Sequence, residues 1–199
     1  MRLIALAFLF AGPALADCPV RAQLDSGVTL VRDDPFFGVS YLHDDGVLTE
    51  TRRMSRGGTE VRRSSTYENA LAVRAQDSEN GTVAFEYLDD MDRALDVNET
   101  GDFATTFRLI VDGARYSSGE YHLYYEGEGR VQIGECAYDT WVLRNESEIE
   151  GMEPILFLWD YAPDLGIVIR TEQIDPAGGT LGVVAYDRIL EGTMDELIP

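Results

Sequence analysis

The chain has 199 residues, with 36 acidic side chains against 16 arginines and no lysine, and a formal net charge of −20. This excess of negative charge excludes nonspecific binding to nucleic acid or to an anionic membrane surface, because both would repel the protein. It fits either a solvated acidic surface or attraction to a basic partner.

The N-terminal residues have the pattern of a secretory signal peptide. Arg2 supplies a positive charge, residues 3–10 are apolar, and small residues lead up to Ala16. We therefore expect a signal peptide over residues 1–16, cleaved after Ala16, and one β-rich periplasmic or secreted domain over residues 17–199. No later stretch is long and apolar enough to suggest a membrane-spanning helix.

The two cysteines follow from this expected export. A lipoprotein signal would place a cysteine directly after the cleavage site, but Asp17 precedes Cys18, which favours a released protein. In an oxidising compartment, Cys18 and Cys136 most simply form one disulfide. The alternative is a reactive thiol, although neither cysteine lies in a C-x-x-C motif or beside a histidine.

Most of the remaining chain consists of short alternating segments, separated by Gly, Asn or Asp about every 8–12 residues. The candidate segments are residues 28–32, 36–43, 47–54, 59–66, 69–76, 83–87, 103–111, 121–126, 130–136, 138–144, 155–161, 166–172 and 181–188. This spacing predicts a mainly β fold, in which about ten to twelve strands form a single curved antiparallel sheet, closed into a barrel or half-open.

Helical periodicity is limited to residues 89–97, where Met91 and Leu95 could share a face, so we expect one short helix or flap there. Asp112-Gly113 predicts a turn. Asn98 and Asn145 each begin an Asn-x-Ser/Thr triplet, and both triplets are expected in loops.

The sharpest charge feature is a group of arginines, Arg52, Arg53, Arg56, Arg62 and Arg63, within twelve residues. Strand alternation splits each Arg-Arg pair between the two faces of a hairpin. The group could be a docking patch for an anion, a carboxylate or an acidic partner. Alternatively, these arginines offset nearby carboxylates and discourage edge-to-edge pairing.

The sequence contains no recognisable catalytic or metal-binding motif. His43 and His122 are its only histidines, which is too few for a typical histidine metal site, and we expect them to be structural or exposed. We therefore predict no enzyme activity, no cofactor and no metal site.

A wide or half-open barrel can hold a ligand, and aromatic side chains suit its lining. The alternative is that the aromatic residues form an ordinary core. The candidate cavity-lining residues are Phe85, Tyr87, Phe107, Tyr121, Tyr125, Trp141, Phe157 and Trp159.

Three segments of the C-terminal third, residues 133–141, 161–166 and 185–189, resemble uncharacterised bacterial periplasmic proteins related to the LolA/LolB-type lipoprotein-carrier half-barrels. The middle segment reads Tyr-Ala-Pro-Asp-Leu-Gly between two apolar strands. The resemblance implies a curved antiparallel sheet around a hydrophobic ligand, with a helical piece as a lid. It assigns no functional residue.

These features favour an exported, non-enzymatic binding or carrier protein for a hydrophobic small molecule or lipid. The alternative is an acidic interaction module that binds a basic protein, for instance an inhibitor of a basic enzyme such as a lysozyme. An enzyme is the third and least supported class.

Overall fold

The computed structural model describes residues 18–56 and 58–197, so the expected signal peptide and its cleavage site lie outside the described residues. Within these ranges, no helix combines the length and the apolar character needed to cross a bilayer.

The described residues contain thirteen strands in one antiparallel sheet, in which nearly every strand pairs with its neighbours in sequence. The strands are β1 Val28–Arg32, β2 Phe37–Asp44, β3 Val47–Arg56, β4 Thr59–Asn69, β5 Ala72–Ser78, β6 Gly81–Tyr87, β7 Asp102–Val111, β8 Ala114–Ile133, β9 Cys136–Ile149, β10 Ile155–Ala162, β11 Ile167–Ile174, β12 Thr180–Val184 and β13 Arg188–Glu191. The exception to sequential order is β13, which pairs with β1. The predicted mainly β fold with one antiparallel sheet is confirmed.

Helical structure in the described residues is short. Two 3₁₀ helices span Arg21–Asp25 and Met91–Asp96, and the α-helices are α1 (Val97–Thr100) and α2 (Met194–Leu197). The second 3₁₀ helix runs into α1, and we call residues 91–100 the helical insert. It lies where the short helix was predicted.

Cross-strand partners define the two faces of the sheet. Directly paired residues point to the same side, and a chain of partners runs from Tyr41 through Glu50, Ser65 and Gln76 to Val83. We call this side the concave face and the opposite side the convex face.

The sheet overlaps itself and does not close edge to edge. Leu30 and Val39, from β1 and β2, belong to one buried cluster with Tyr138, Ala162 and Ile167, from β9, β10 and β11. By strand alternation, these last three lie on the convex face, because their neighbours Leu143 and Trp159 are paired on the concave one. The concave side of β1 and β2 therefore packs on the convex side of β9–β11, so the sheet is rolled over itself. The strands β12 and β13 remain the two edges of the described sheet.

The N-terminal segment is fixed onto this overlap. Cys18 and Cys136 form the predicted disulfide, with a Cα–Cα distance of 5.5 Å and a sequence separation of 118. The Tyr138 hydroxyl donates a hydrogen bond to the Pro19 carbonyl at 2.9 Å. Arg21 donates from its backbone N–H to the Asp164 carbonyl at 2.8 Å, which holds the turn between β10 and β11.

The helical insert fills part of the concavity. Its side chains Met91, Ala94 and Val97 are buried in a second cluster, together with Phe103 and Phe107 of β7. This burial explains why a segment too short to be stable alone is ordered as a helix here.

Several local predictions were wrong. The segment 181–188 is not one strand, because β12 ends at Val184 and Arg188 begins β13 at the other edge of the sheet. Residues 121–126 and 130–133 belong to one strand, β8, because Gly127, at φ +139°, forms part of a bulge that shifts the register without ending the strand, and β9 already begins at Cys136. Asn145 is not in a loop but in β9, where it is buried and its amide donates to the His122 carbonyl at 3.4 Å. The other triplet is not in a loop either, because Asn98 lies in α1.

Candidate functional site

The β3–β4 hairpin distributes the predicted arginine cluster over both faces of the sheet. Arg52 is directly opposite Arg63, and Arg53 is directly opposite Arg62. We call Arg52 and Arg63 the concave Arg pair, and Arg53 and Arg62 the convex Arg pair. Arg56 ends β3, and its side chain lies outside the described part of the structure.

The convex Arg pair is neutralised by nearby carboxylates. Arg53 contacts Glu60 at 3.1 Å and Asp195 at 3.9 Å, and Arg62 contacts Asp195 at 2.6 Å. Asp195 belongs to α2, whose Met194 packs against the convex face of β2 beside Gly38. These contacts tie the C-terminal helix to the hairpin.

One member of the concave Arg pair, Arg52, binds a buried carboxylate. The Glu50 side chain is 0 % exposed and forms an ion pair with Arg52, whose Nη2 donates to Oε2 at 3.0 Å. The Tyr67 hydroxyl donates to the same Oε2 at 2.6 Å. Glu50 is therefore committed to Arg52 and Tyr67, and no described residue forms an ion pair or side-chain hydrogen bond with the Arg63 guanidinium.

Burial changes the acid–base behaviour of this cluster. Burial, and then the Glu50 charge, raises the pKa of Tyr41 and of Tyr67 well above the usual 10.0. Burial disfavours the charged form of Arg52, but the adjacent Glu50 carboxylate outweighs it and raises the Arg52 pKa. The cluster therefore contains one ion pair, Glu50 with Arg52, next to the uncharged hydroxyls of Tyr41 and Tyr67.

The predicted cavity-lining residues pack mainly against one another. Phe85 meets the edge of Phe107 with ring centroids 5.4 Å apart, and Tyr87 meets Tyr121 at 5.9 Å. All except Phe157 belong to or pack against the second cluster, and Phe157 stacks on Trp159 at 6.4 Å. The members in that cluster are Phe85, Tyr87, Phe107, Tyr121, Tyr125, Trp141 and Trp159.

An open groove of about 650 Å³ crosses β7, β8 and β9 near the β9–β10 turn. Leu88 and Met152 flank it, and they are 55 % and 56 % exposed. Its floor includes Gly119, where an added Cβ would come within 2.6 Å of the Phe107 ring. The lining residues are Leu88, Thr106, Phe107, Arg108, Arg115, Ser118, Gly119, Glu120, Glu148, Ile149, Glu150, Gly151, Met152 and Pro154.

A second groove, of about 610 Å³, lies next to the first one. Glu86 lines the second groove and Arg108 lines the first, and the two side chains form an ion pair at 3.6 Å. Phe85 lines the second groove, so Phe85 and Phe107 are the predicted cavity residues that reach these two grooves. Polar lining residues lie on the convex face of the sheet, where Glu120 is directly opposite Thr106 of β7 and Glu148 of β9.

Leu88 and Met152 were not identified from the sequence. Both lie just outside strands, after β6 and after β9, where the alternation that marks buried and exposed positions no longer applies. The available signal was two large apolar side chains in otherwise polar turns.

The histidines are paired with single carboxylates. His43 Nδ1 lies 3.3 Å from Asp25, and His122 Nε2 lies 3.2 Å from Glu120. In the part of the chain that the structure describes, no three His, Cys, Asp or Glu side chains are grouped so as to hold a metal ion.

Comparisons with known proteins identify no family. No family model matches the chain, and no curated protein matches it. Among solved structures, the chain is similar to the hypothetical lipoprotein YmcC from Escherichia coli, with 8% sequence identity, a TM-score of 0.42, and coverage of 85% of this chain and 84% of that one. This likeness is too distant to support an argument about function.

Proposed function

We propose that this protein is an exported, non-enzymatic binding or carrier protein that takes an apolar or lipid-like ligand in the groove between Leu88 and Met152. The supporting observation is that these two large apolar side chains are each more than half exposed and flank the same groove. Exposed apolar side chains gathered at a concave site are typical of ligand or partner binding.

The size and composition of the groove support an amphipathic ligand. Its volume of about 650 Å³ is within the range of small-molecule sites. Burying an apolar side chain contributes roughly 1.5–3 kcal/mol, so Leu88 and Met152 could supply much of the affinity. Arg115, Glu120 and Glu148 would orient the polar part of the ligand.

Export is supported by the disulfide between Cys18 and Cys136, because such cross-links persist in oxidising compartments. A periplasmic location and cleavage after Ala16 are part of the proposal.

The test is native mass spectrometry of the oxidised protein, purified from the exported fraction of its own source cells. A second portion is extracted with organic solvent to release and identify any bound molecule. We expect a bound apolar molecule that Met152→Glu releases. Leu181→Glu is the matched control, because Leu181 is 59 % exposed on β12, away from the groove. If each of the three proteins showed only the mass calculated for its own ligand-free chain, the proposal would be contradicted.

The carboxylates favour a second candidate, the docking of a basic protein. Glu120, Glu148 and Glu150 all line the groove, in a chain of net charge −20. This function predicts binding to a cationic enzyme that weakens steeply with added salt and is lost when these three residues are changed to Gln.

A further inference from the structure

The concave Arg pair is distinct from the groove and has an unbalanced charge. Arg52 and Arg63 are directly opposite on neighbouring antiparallel strands, where like charges are destabilising. Glu50 supplies one negative charge for two guanidinium groups, and its contacts are with Arg52 and Tyr67. The convex Arg pair on the same hairpin, in contrast, is met by Glu60 and Asp195.

A buried hydroxyl beside Arg63 also lacks a partner. Ser65 is two residues along β4, on the same face, and is 3 % exposed. Its Oγ has no hydrogen-bond partner among the described residues. A buried polar group without a partner costs about 1–3 kcal/mol, so an acceptor at this position would be stabilising.

The pair remains accessible to a ligand. The Arg52 side chain is 34 % exposed, and Arg63 is half-buried. On the same row of cross-strand partners on the concave face, Ser65 is followed by Gln76 and then by Val83, which packs against the second cluster. Two strand spacings, about 10 Å, separate Ser65 from Val83.

We propose that Arg52, Arg63 and Ser65 form a binding site for an oxyanion, either a carboxylate or a phosphate group. The Arg63 guanidinium supplies the uncompensated positive charge and donates to the anion. Arg52 donates from the N–H groups that Glu50 does not use, and the Ser65 hydroxyl is a neutral donor. Guanidinium forks suit both kinds of oxyanion because they donate two parallel hydrogen bonds. The inference does not depend on a ligand in the Leu88–Met152 groove.

The experiment is isothermal titration of the oxidised protein at low ionic strength with sodium phosphate, sodium octanoate and neutral octanol. We expect one site on the hairpin for an anion that octanol neither occupies nor competes for, because any binding of octanol belongs to the Leu88–Met152 groove. Tighter binding of octanoate identifies a carboxylate amphiphile, and tighter binding of phosphate identifies a phosphate group. Failure of both anions to bind would overturn the inference and would leave the proposal for the groove unaffected.

Variants locate the site on the hairpin. We expect Arg63→Gln to weaken binding by about tenfold or more, and Ser65→Ala by a smaller factor of about five. Arg62→Gln is the matched control, one residue away on the other face, and should bind as the unmodified protein does. Equal weakening by Arg62→Gln and Arg63→Gln would indicate diffuse electrostatics and would overturn the inference.

A conservative change guards against loss of fold. Arg63→Lys keeps the charge but loses the planar fork, so we expect weakening intermediate between the unmodified protein and Arg63→Gln. If Arg63→Lys folds and binds no more tightly than Arg63→Gln does, the charge of Arg63 is not used and the assignment fails.

Discussion

At the scale of single residues, the Glu50 carboxylate is a fully buried charge whose compensation depends on two side chains. It is buried on the concave face, and Arg52 and Tyr67 are its partners. A buried ion pair contributes little net stability, but removal of one partner leaves an uncompensated charge.

We therefore expect Arg52→Met to lower the free energy of unfolding by about 3 kcal/mol, near the low end for buried pairs because Arg52 is partly exposed. Urea unfolding measures this loss. The double change Glu50→Gln with Arg52→Met should recover part of it, because no charge is then buried. A loss no larger than that of Arg62→Gln, expected below about 1 kcal/mol, would contradict this role.

The buried tyrosines predict instability in alkali. Tyr41 and Tyr67 keep their protons in the folded protein to higher pH than the usual pKa of 10.0. Above that pH the unfolded chain binds fewer protons than the folded one, so the free energy of unfolding falls as pH rises, while below it the contribution is constant. Urea unfolding at neutral and alkaline pH should show this fall, with a shallower slope for Tyr41→Phe. A flat profile across the usual tyrosine pKa would be evidence against it.

At the scale of secondary-structure elements, the pairing of β8 with β7 and β9 shapes the floor of the groove. Gly119 allows the Phe107 ring and the Glu148 carbonyl to approach β8 closely. Any side chain at this position must displace one of them.

We expect Gly119→Ala to cost roughly 1–3 kcal/mol and to reduce binding in the groove. Gly182→Ala on β12 is the control, because its added Cβ would meet no atom within 4 Å. Thermal unfolding of both variants tests the difference, and equal melting temperatures would show that the close approach at Gly119 has no structural consequence.

Strands and turns were largely predictable, and irregularities were not. Asp112 and Gly113, at φ 49° and 79°, form the expected turn between β7 and β8, because Asp and Gly tolerate positive φ. A glycine at position 127 is compatible with a turn or with a bulge. It forms a bulge because β8 pairs with β9 on both sides of it. The exposure of Leu88 and Met152 depends on the shape of loops, which alternation does not encode.

At the scale of the whole molecule, side-chain packing and the Cys18–Cys136 disulfide stabilise the overlap of the sheet with itself. Alternation indicates which faces are apolar, but it does not show that the concave side of β1 and β2 covers the convex side of β9–β11. The two cysteines and the expected export predicted the disulfide, but they did not predict that it lies at this overlap.

Reduction of the Cys18–Cys136 bond should lower the free energy of unfolding by about 4–5 kcal/mol, because this bond closes a loop of more than a hundred residues. Urea unfolding with and without reductant measures the loss. The variant Cys18→Ser with Cys136→Ser should be equally unstable and insensitive to reductant. If this variant matched the oxidised protein, the overlap would be stable without the cross-link.

The groove between Leu88 and Met152 is the feature on which the proposed binding function depends. The most direct measurement is a fluorescence titration of the oxidised protein with the neutral apolar probe N-phenyl-1-naphthylamine. We predict one saturable site that Met152→Glu abolishes and Leu181→Glu retains. Absence of saturable binding, or equal binding by both variants, would contradict the groove as the ligand site.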